Sequence, residues 1–343
     1  MFYYIGLFGS FCLVTILGLI TYKKEPPFSL ILLLGLVFFI LAAFRDGADR
    51  DYLSYESAFI DPNQNSILFI EPSFLIISGL VKFCFQSNVI FLFGIYAFLG
   101  VSLKFFGIKQ LSNLYFFSIL IYLSNYFILH EMTQIRSGVA TGILLISIKP
   151  MFNRNLLGFL LLVILAFFFH YSSILFLPFY LLSSEKINSF IYSFSLILTY
   201  LLHFLNIHFS SLLSLFHSEA LSYKLDIYKH NLLSEVHVLN PIQVFRVCLG
   251  LFLLWKKDLI IEHNKYFFLL LKIYFFGLCS LVAFADLSAF ADRTSELFMV
   301  VEVILFPMII YTIKESVFAF FLSISISLVW MCINLFYLQM LVF

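Results

Sequence analysis

The chain has 343 residues, of which 62% are hydrophobic, 20% aromatic and 11% charged; 47 are phenylalanine and the mean hydropathy is +1.04. Water-soluble domains carry about 25% charged residues, so this composition excludes a soluble globular fold. A net charge of +1, with no basic tail, gives no sign of a nucleic-acid partner.

A hydrocarbon core roughly 30 Å thick needs about 20 apolar residues per helix. Such stretches fall at about 2–22, 28–44, 66–85, 88–107, 112–129, 132–148, 155–182, 190–206, 241–255, 266–285, 294–313 and 317–342. They predict an all-α polytopic bundle of about 11–13 spans in a single membrane domain covering residues 1–343. Barrel strands alternate apolar and polar residues over short segments, and these runs are continuous. Residues 1–22 lack a charged start and a small-residue cleavage site, so the expectation is a retained first helix. Cys12, Cys84, Cys248, Cys279 and Cys332 all lie in apolar runs without CxxC spacing, and are expected to pack in the core.

Short-loop lysine and arginine mark the cytoplasmic side. Lys23, Lys24, Lys149, Arg154, Lys186, Lys256, Lys257, Lys265 and Lys314 define one such set of loops. The other side then receives 45–65, the regions of Arg136 and His170, a long loop at about 207–240, and 286–296. Three apolar runs separate Asp61 from Arg136, whereas two outer sites need an even number of crossings, so one run is re-entrant or Arg136 lies elsewhere. The 155–182 run is long for one span and interrupted by "HYSS" at 170–173, which predicts a break or a hairpin. Of six arginines against fourteen lysines, Arg45, Arg50, Arg136 and Arg293 fall on the outer side against the usual bias, as expected where a guanidinium fork is needed for phosphate or carboxylate.

"FRDGADRDYLSYESAF" (44–59) places Arg45, Asp46 and Asp49 around Gly47, followed by Tyr52 and Tyr55 on one helical face. It reads either as a solvated loop with local ion pairs or as a site; Asp49 and Asp51 form a D-x-D without EF-hand order, and no metal is expected. "IEPSFLIISGL" (70–80) sets Glu71 ahead of Pro72, an N-terminal helix signal or a carboxylate at the outer mouth. In "HEMTQIRSGVATGILL" (130–145), Gln134, Gly138 and Thr141 or Gly142 line one face beside Arg136, which is either a snorkelling helix-end arginine or part of a ligand site. His170 in "FFFHYSSIL" is a packing residue or a catalyst, and Arg293 and Glu296 in "FADRTSELFMVVEVILFP" are within pairing distance. Ile207, Leu212, Leu215 and Phe216 predict an amphipathic helix on the outer membrane face.

In order and approximate spacing, "FRDGADRDYLSYESAF", "EPSF", "QIRSGVA", "FFHYSSILFLP" and "DRTSELF" through Pro307 resemble the EpsG-like branch of bacterial Wzy-type O-antigen polymerases, over about 40–310. The resemblance implies a GT-C-like glycosyltransferase of the bacterial inner membrane with its site facing the periplasm. It would transfer a glycan from undecaprenyl pyrophosphate to a lipid-linked repeat unit. It also implies lipid-linked donor and acceptor partners, a chain-length regulator, an apolar groove for the polyprenyl tail, and no cofactor. On that reading Arg45, Arg136 and Arg293 face the pyrophosphate. Asp49, Glu71 and His170 are the candidate bases, His170 first because imidazole changes charge near neutral pH. Tyr52, Tyr55, Gln134 and Glu296 would bind substrate. A flippase for the same lipid-linked sugars would gather charges at the midplane of internal repeats, and an O-antigen ligase shares the donor chemistry; both remain alternatives.

Overall fold

The computed structural model describes residues 2–22, 24–45, 47–61, 70–86, 88–207 and 236–341. They form helices throughout, with one isolated antiparallel bridge, Asp49 to Leu341, as the only strand-like pairing among them. The all-α membrane bundle expected from composition is what the chain builds. Four helices among the described residues are long and apolar enough to cross a membrane, with a fifth if Ser288–Met299 and Glu302–Thr312 count as one bent span. Seven further apolar helices are shorter, at 10–17 residues. The shortfall against a dozen full spans has two sources: several helices stop at 15–17 residues, and the 155–182 and 112–129 runs are cut by the His170 turn and by π-helical segments. The chain divides into two compact units, residues 1–180 with 303–343, and residues 181–302.

In the first unit, α1 (Phe2–Ile20) is apolar throughout, and α2 (Phe28–Ala43) starts after Pro27, whose fixed φ suits a helix start. Gly47, at φ +73, turns the following loop, a conformation that L residues rarely adopt. A short helix α3 (Tyr52–Ile60) follows. Helix α4 (Pro72–Cys84) has 13 residues and so spans roughly 20 Å, too little for the hydrocarbon core. The 23-residue α5 (Val89–Leu111), capped by the Asn88 side chain accepting from the Ile90 amide at 3.0 Å, is long enough. The chain returns as α6 (Tyr115–Ile121) and two wide π-helical segments, Tyr122–Tyr126 and Ile128–Thr133. Of the three apolar runs between Asp61 and Arg136, one, α5, is long enough to cross a membrane as a single helix; the others form the short α4 and the α6–π-helical segment.

Helix α7 (Ile135–Phe152) packs closely on α5: a Cβ added to Gly142 would lie 2.8 Å from Leu103 Cβ, and one added to Gly107 would lie 3.1 Å from Leu145 Cβ. Small residues permit that approach where no hydrophobic drive separates helix from lipid. Helix α8 (Leu156–Phe169) ends at His170, and the chain doubles back as a 3-10 helix, Tyr171–Leu181. The Tyr180 hydroxyl donates to Arg154 O at 2.7 Å, and Arg154 Nη1 to Tyr180 O at 2.5 Å, closing the open end of the hairpin. Its two legs match: 14 α-helical residues rise roughly 21 Å and 11 residues of 3-10 helix roughly 22 Å. The break expected at 170–173 is this turn.

The second unit contains α9 (Ser189–Phe204), α10 (Pro241–Trp255), α11 (Lys257–Ile261), α12 (Phe267–Ala283) and α13 (Ser288–Met299). Asn188 and Asn240 cap α9 and α10 through side-chain oxygens 3.0 and 2.8 Å from Phe190 N and Gln243 N. A Cβ at Gly277 would fall 2.5 Å from Met299 Cγ, and Ser295 donates to Gly277 O at 3.0 Å, so α12 and α13 are in direct contact. Chain elements α14 (Glu302–Leu305), a 3-10 turn (Phe306–Thr312) and α15 (Ser316–Cys332) complete the described residues with a last π-helical turn, Ile333–Tyr337. The amphipathic helix expected from 207 onward lies outside the described residues.

The cysteines correct one expectation. None is buried: Cys12, Cys84 and Cys248 are exposed, and Cys279 and Cys332 half-buried. An apolar run in a membrane protein offers lipid-facing as well as core positions, and hydropathy alone does not separate them.

Candidate functional site

Three helix ends meet in the first unit. Glu71 stands at the N-cap of α4 with Pro72 behind it, Arg136 in the first turn of α7, and His170 at the C-cap of α8. One Glu71 oxygen, Oε1, is 3.1 Å from His170 Nδ1; the other, Oε2, accepts from Arg136 Nη1. The Arg136 guanidinium lies over the rings of Tyr55 and Phe74, at 5.5 and 5.7 Å from their centroids, contacts that a flat, weakly hydrated cation favours. Tyr171, next to the turn, donates to Ile70 O at 3.4 Å and ties the hairpin tip to the residue before Glu71.

Exposure is graded across the cluster: the side chain of Glu71 is 7% exposed, His170 14% and Arg136 28%. Burial alone would raise the Glu71 carboxyl, but the His170 hydrogen bond and the Arg136 charge outweigh it and hold its pKa below the ordinary carboxylate value. An ionised Glu71 accepting from Nδ1–H fixes the tautomer that leaves Nε2 as an acceptor. His170 Nε2 is buried and makes no hydrogen bond to any described residue. A carboxylate that fixes an imidazole in this way, beside a cation, has the form of an arrangement able to move a proton and to meet negative charge.

Arg45 and Asp49 are placed differently. The guanidinium is 1% exposed, with Nε 3.1 Å from Asp49 Oδ2. Its Nη1 donates to the carbonyls of Glu131 (3.2 Å) and Met132, which the wide π-helical turn leaves available, and the group stacks 3.8 Å from the Phe93 centroid. The pair thus anchors the 44–51 loop to the segment leading into α7. Arg50 reaches the carbonyls of Gln339 (3.1 Å) and Leu338.

Tyr55 is buried beneath Arg136, and Tyr52, half-buried, packs 4.9 Å from the Phe93 ring centroid. Gln134 stands at the N-cap position of α7, two residues before Arg136, without a side-chain capping bond. Glu71, Arg136, His170 and Tyr55 are therefore brought together, while Arg45 and Asp49 pair with each other. Arg293, exposed, and Glu296, half-buried, belong to α13 of the second unit. Among the described residues no three His, Cys, Asp or Glu side chains converge as metal ligands would.

Sequence reasoning missed a buried polar network below Arg136. Lys104 Nζ lies 3.4 Å from Glu131 Oε1, 3.3 Å from His130 Nδ1 and 3.0 Å from Gly138 O, and the Tyr122 hydroxyl donates to Glu131 Oε1 at 2.8 Å. Lys104 and His130 are 0% exposed and Glu131 is 1% exposed. A Cβ at Gly100 would fall 1.8 Å from Glu131 Oε2, and one at Gly138 would fall 2.0 Å from His130 O. Also missed was Arg246, whose Nε is 3.0 Å from Glu302 Oε1 within the second unit. The available signal was the rarity of ionisable residues within apolar runs.

Residues 28–342 match the EpsG family. The chain is also similar to the amylovoran biosynthesis protein AmsC of Erwinia amylovora, at 24% identity over 267 residues covering 76% of this chain and 71% of that protein. No solved structure matches.

Proposed function

The chain belongs to the EpsG family, and from that premise we propose that it is a membrane glycosyltransferase that polymerises lipid-linked repeat units of a surface polysaccharide. The single observation that carries this reading is the convergence of Glu71, Arg136 and His170 from three helix ends. The similarity to a protein named for amylovoran biosynthesis supports it.

In the proposed reaction the acceptor sugar hydroxyl attacks the anomeric carbon of a glycan held on undecaprenyl pyrophosphate. His170 Nε2 takes the hydroxyl proton as the new C–O bond forms. The bond to the pyrophosphate oxygen breaks, and its electron pair leaves with the anion. Arg136, the most exposed of the three, stabilises that anion. Glu71 keeps the imidazole in the productive tautomer and balances the resulting imidazolium, as the acid of a catalytic triad does. Arg45 and Asp49 act by holding the 44–51 loop, and Tyr55 and Phe74 hold the guanidinium in place through their ring faces. We place the reaction on the outer face of a bacterial inner membrane.

The test is gel analysis of surface polysaccharide from a deletion strain. Core bearing a single repeat unit, restored to a ladder by the wild-type gene but not by Arg136→Ala or His170→Ala at equal expression, is the expected outcome. A full ladder retained on the lipid carrier would instead indicate a ligase. Single lipid-linked units trapped inside would indicate a flippase and overturn the proposal.

A further inference from the structure

An apolar groove of about 820 Å³ runs along the first unit between α2 and α5, and none of Glu71, Arg136 and His170 lines it. Its walls include Leu32 and Leu36 on α2 and Phe98 and Phe106 on α5, each more than half exposed. Gly35 lines it as well, and a Cβ built there meets nothing within 4 Å. One end carries two cations: Lys109 in the last turn of α5 and Lys149 in the last turn of α7 both line the groove and are exposed. Gln110 Nε2 donates to Ile146 O at 3.1 Å, fixing the two helix ends side by side. No described ion pair engages either lysine, and Glu25, three residues before the groove begins at Phe28, forms none with them.

We propose that this groove is a binding site for an anionic phospholipid, with its phosphate between Lys109 and Lys149 and one acyl chain along α2 and α5.

Length and charge both select that occupant. The lining runs from Phe28 to Phe39 and from Phe98 to Gln110, roughly 18 Å of helix in each case. That is close to one leaflet of a core roughly 30 Å thick. Two lysines at one end of an apolar channel complement an anionic head group, as basic residues near a membrane surface do. A polyprenyl pyrophosphate engaged by Arg136 is a poor alternative, because Arg136 and Lys149 stand at opposite ends of α7. The pair of uncompensated lysines is also more than snorkelling requires, since they converge on one channel instead of spreading around the helix ends.

The test reconstitutes the full-length protein into nanodiscs of mixed phosphatidylglycerol and phosphatidylcholine, re-extracts it in mild detergent and measures retained lipids by native mass spectrometry. Wild type should retain phosphatidylglycerol over phosphatidylcholine by roughly thirtyfold, the joint effect of two basic contacts to the head group. Lys109→Gln/Lys149→Gln should lose that preference. Gly35→Leu, which adds a side chain to the groove wall at a position where a Cβ meets nothing within 4 Å, should lose the bound lipid while keeping both lysines; Lys256→Gln/Lys257→Gln is the control and should behave as wild type. Retention of the preference by either the double lysine variant or Gly35→Leu overturns the proposal. So does equal retention of the two lipids by wild type, or recovery of a polyprenyl phosphate from the groove in place of phosphatidylglycerol.

Discussion

The buried Lys104–Glu131 pair offers a quantitative test of how the segment entering α7 is held. Both side chains are sealed from solvent, at 0% and 1% exposure. Removing either partner leaves a buried charge uncompensated, which costs about 3–5 kcal/mol. Lys104→Met preserves the stem that packs near Tyr122 but strands the Glu131 carboxylate. Glu131→Gln keeps an oxygen for the Tyr122 hydroxyl but strands the ammonium. Independent losses would sum to roughly 6–10 kcal/mol. The double variant contains neither charge, and its residual loss is chiefly the hydrogen bonds from Lys104 to Gly138 O and His130 Nδ1, about 1 kcal/mol each. Reversible unfolding in mixed micelles should therefore show Lys104→Met/Glu131→Gln more stable than either single variant, by about 1 kcal/mol or more. A double variant as unstable as the sum, or a single variant costing under about 1 kcal/mol, would refute the reasoning.

Three further outcomes follow from the geometry. Gly100→Ala and Gly138→Ala place a methyl against Glu131 Oε2 and His130 O and should each destabilise by about 1–3 kcal/mol, whereas Gly94→Ala, with open space around it, should be neutral or gain up to about 1 kcal/mol; thermal unfolding of purified variants checks the contrast. Because the folded-state pKa of Glu71 is lowered, its contribution to stability is complete above the unfolded carboxylate pKa of about 4.3 and is lost as pH falls through the lower folded value. Wild type should thus exceed Glu71→Gln in stability near neutrality and converge with it in acid; a gap that widens on acidification would contradict this. Tyr180→Phe removes the hydroxyl bond to Arg154 O and should raise proteolytic sensitivity at the base of the α8 hairpin, with a cost of about 1 kcal/mol.

Part of this organisation was legible in the residues. Long apolar runs announced the helical bundle, and a histidine with two serines in an otherwise apolar stretch announced the turn at His170. Glu71 before Pro72 is a helix-start signal, and it marks the N-terminus of α4. The three cluster residues were each nameable as ionisable groups near helix ends, but their meeting was not, because the pairs are 65 and 99 residues apart in sequence. Arg45 and Asp49 stand four apart, a spacing that suggested a local ion pair as readily as a site. The π-helical turns that present carbonyls to Arg45 have no compositional signature, since they depend on long-range packing. Lys104 was hidden for the opposite reason. Amid so many apolar neighbours a single lysine reads as an interruption of a span, and only the fold shows that it meets Glu131 and His130 in the same layer.

The most direct measurement is polymerisation by the purified protein with a lipid-linked repeat unit, read as product ladder formation over time, alongside binding of the same substrate. The account predicts that His170→Gln lowers the rate by about 10²–10⁴-fold, the range for a lost general base, with substrate binding retained, and that Arg136→Ala lowers the rate as well. A His170→Gln enzyme that builds the ladder at the wild-type rate would contradict the account.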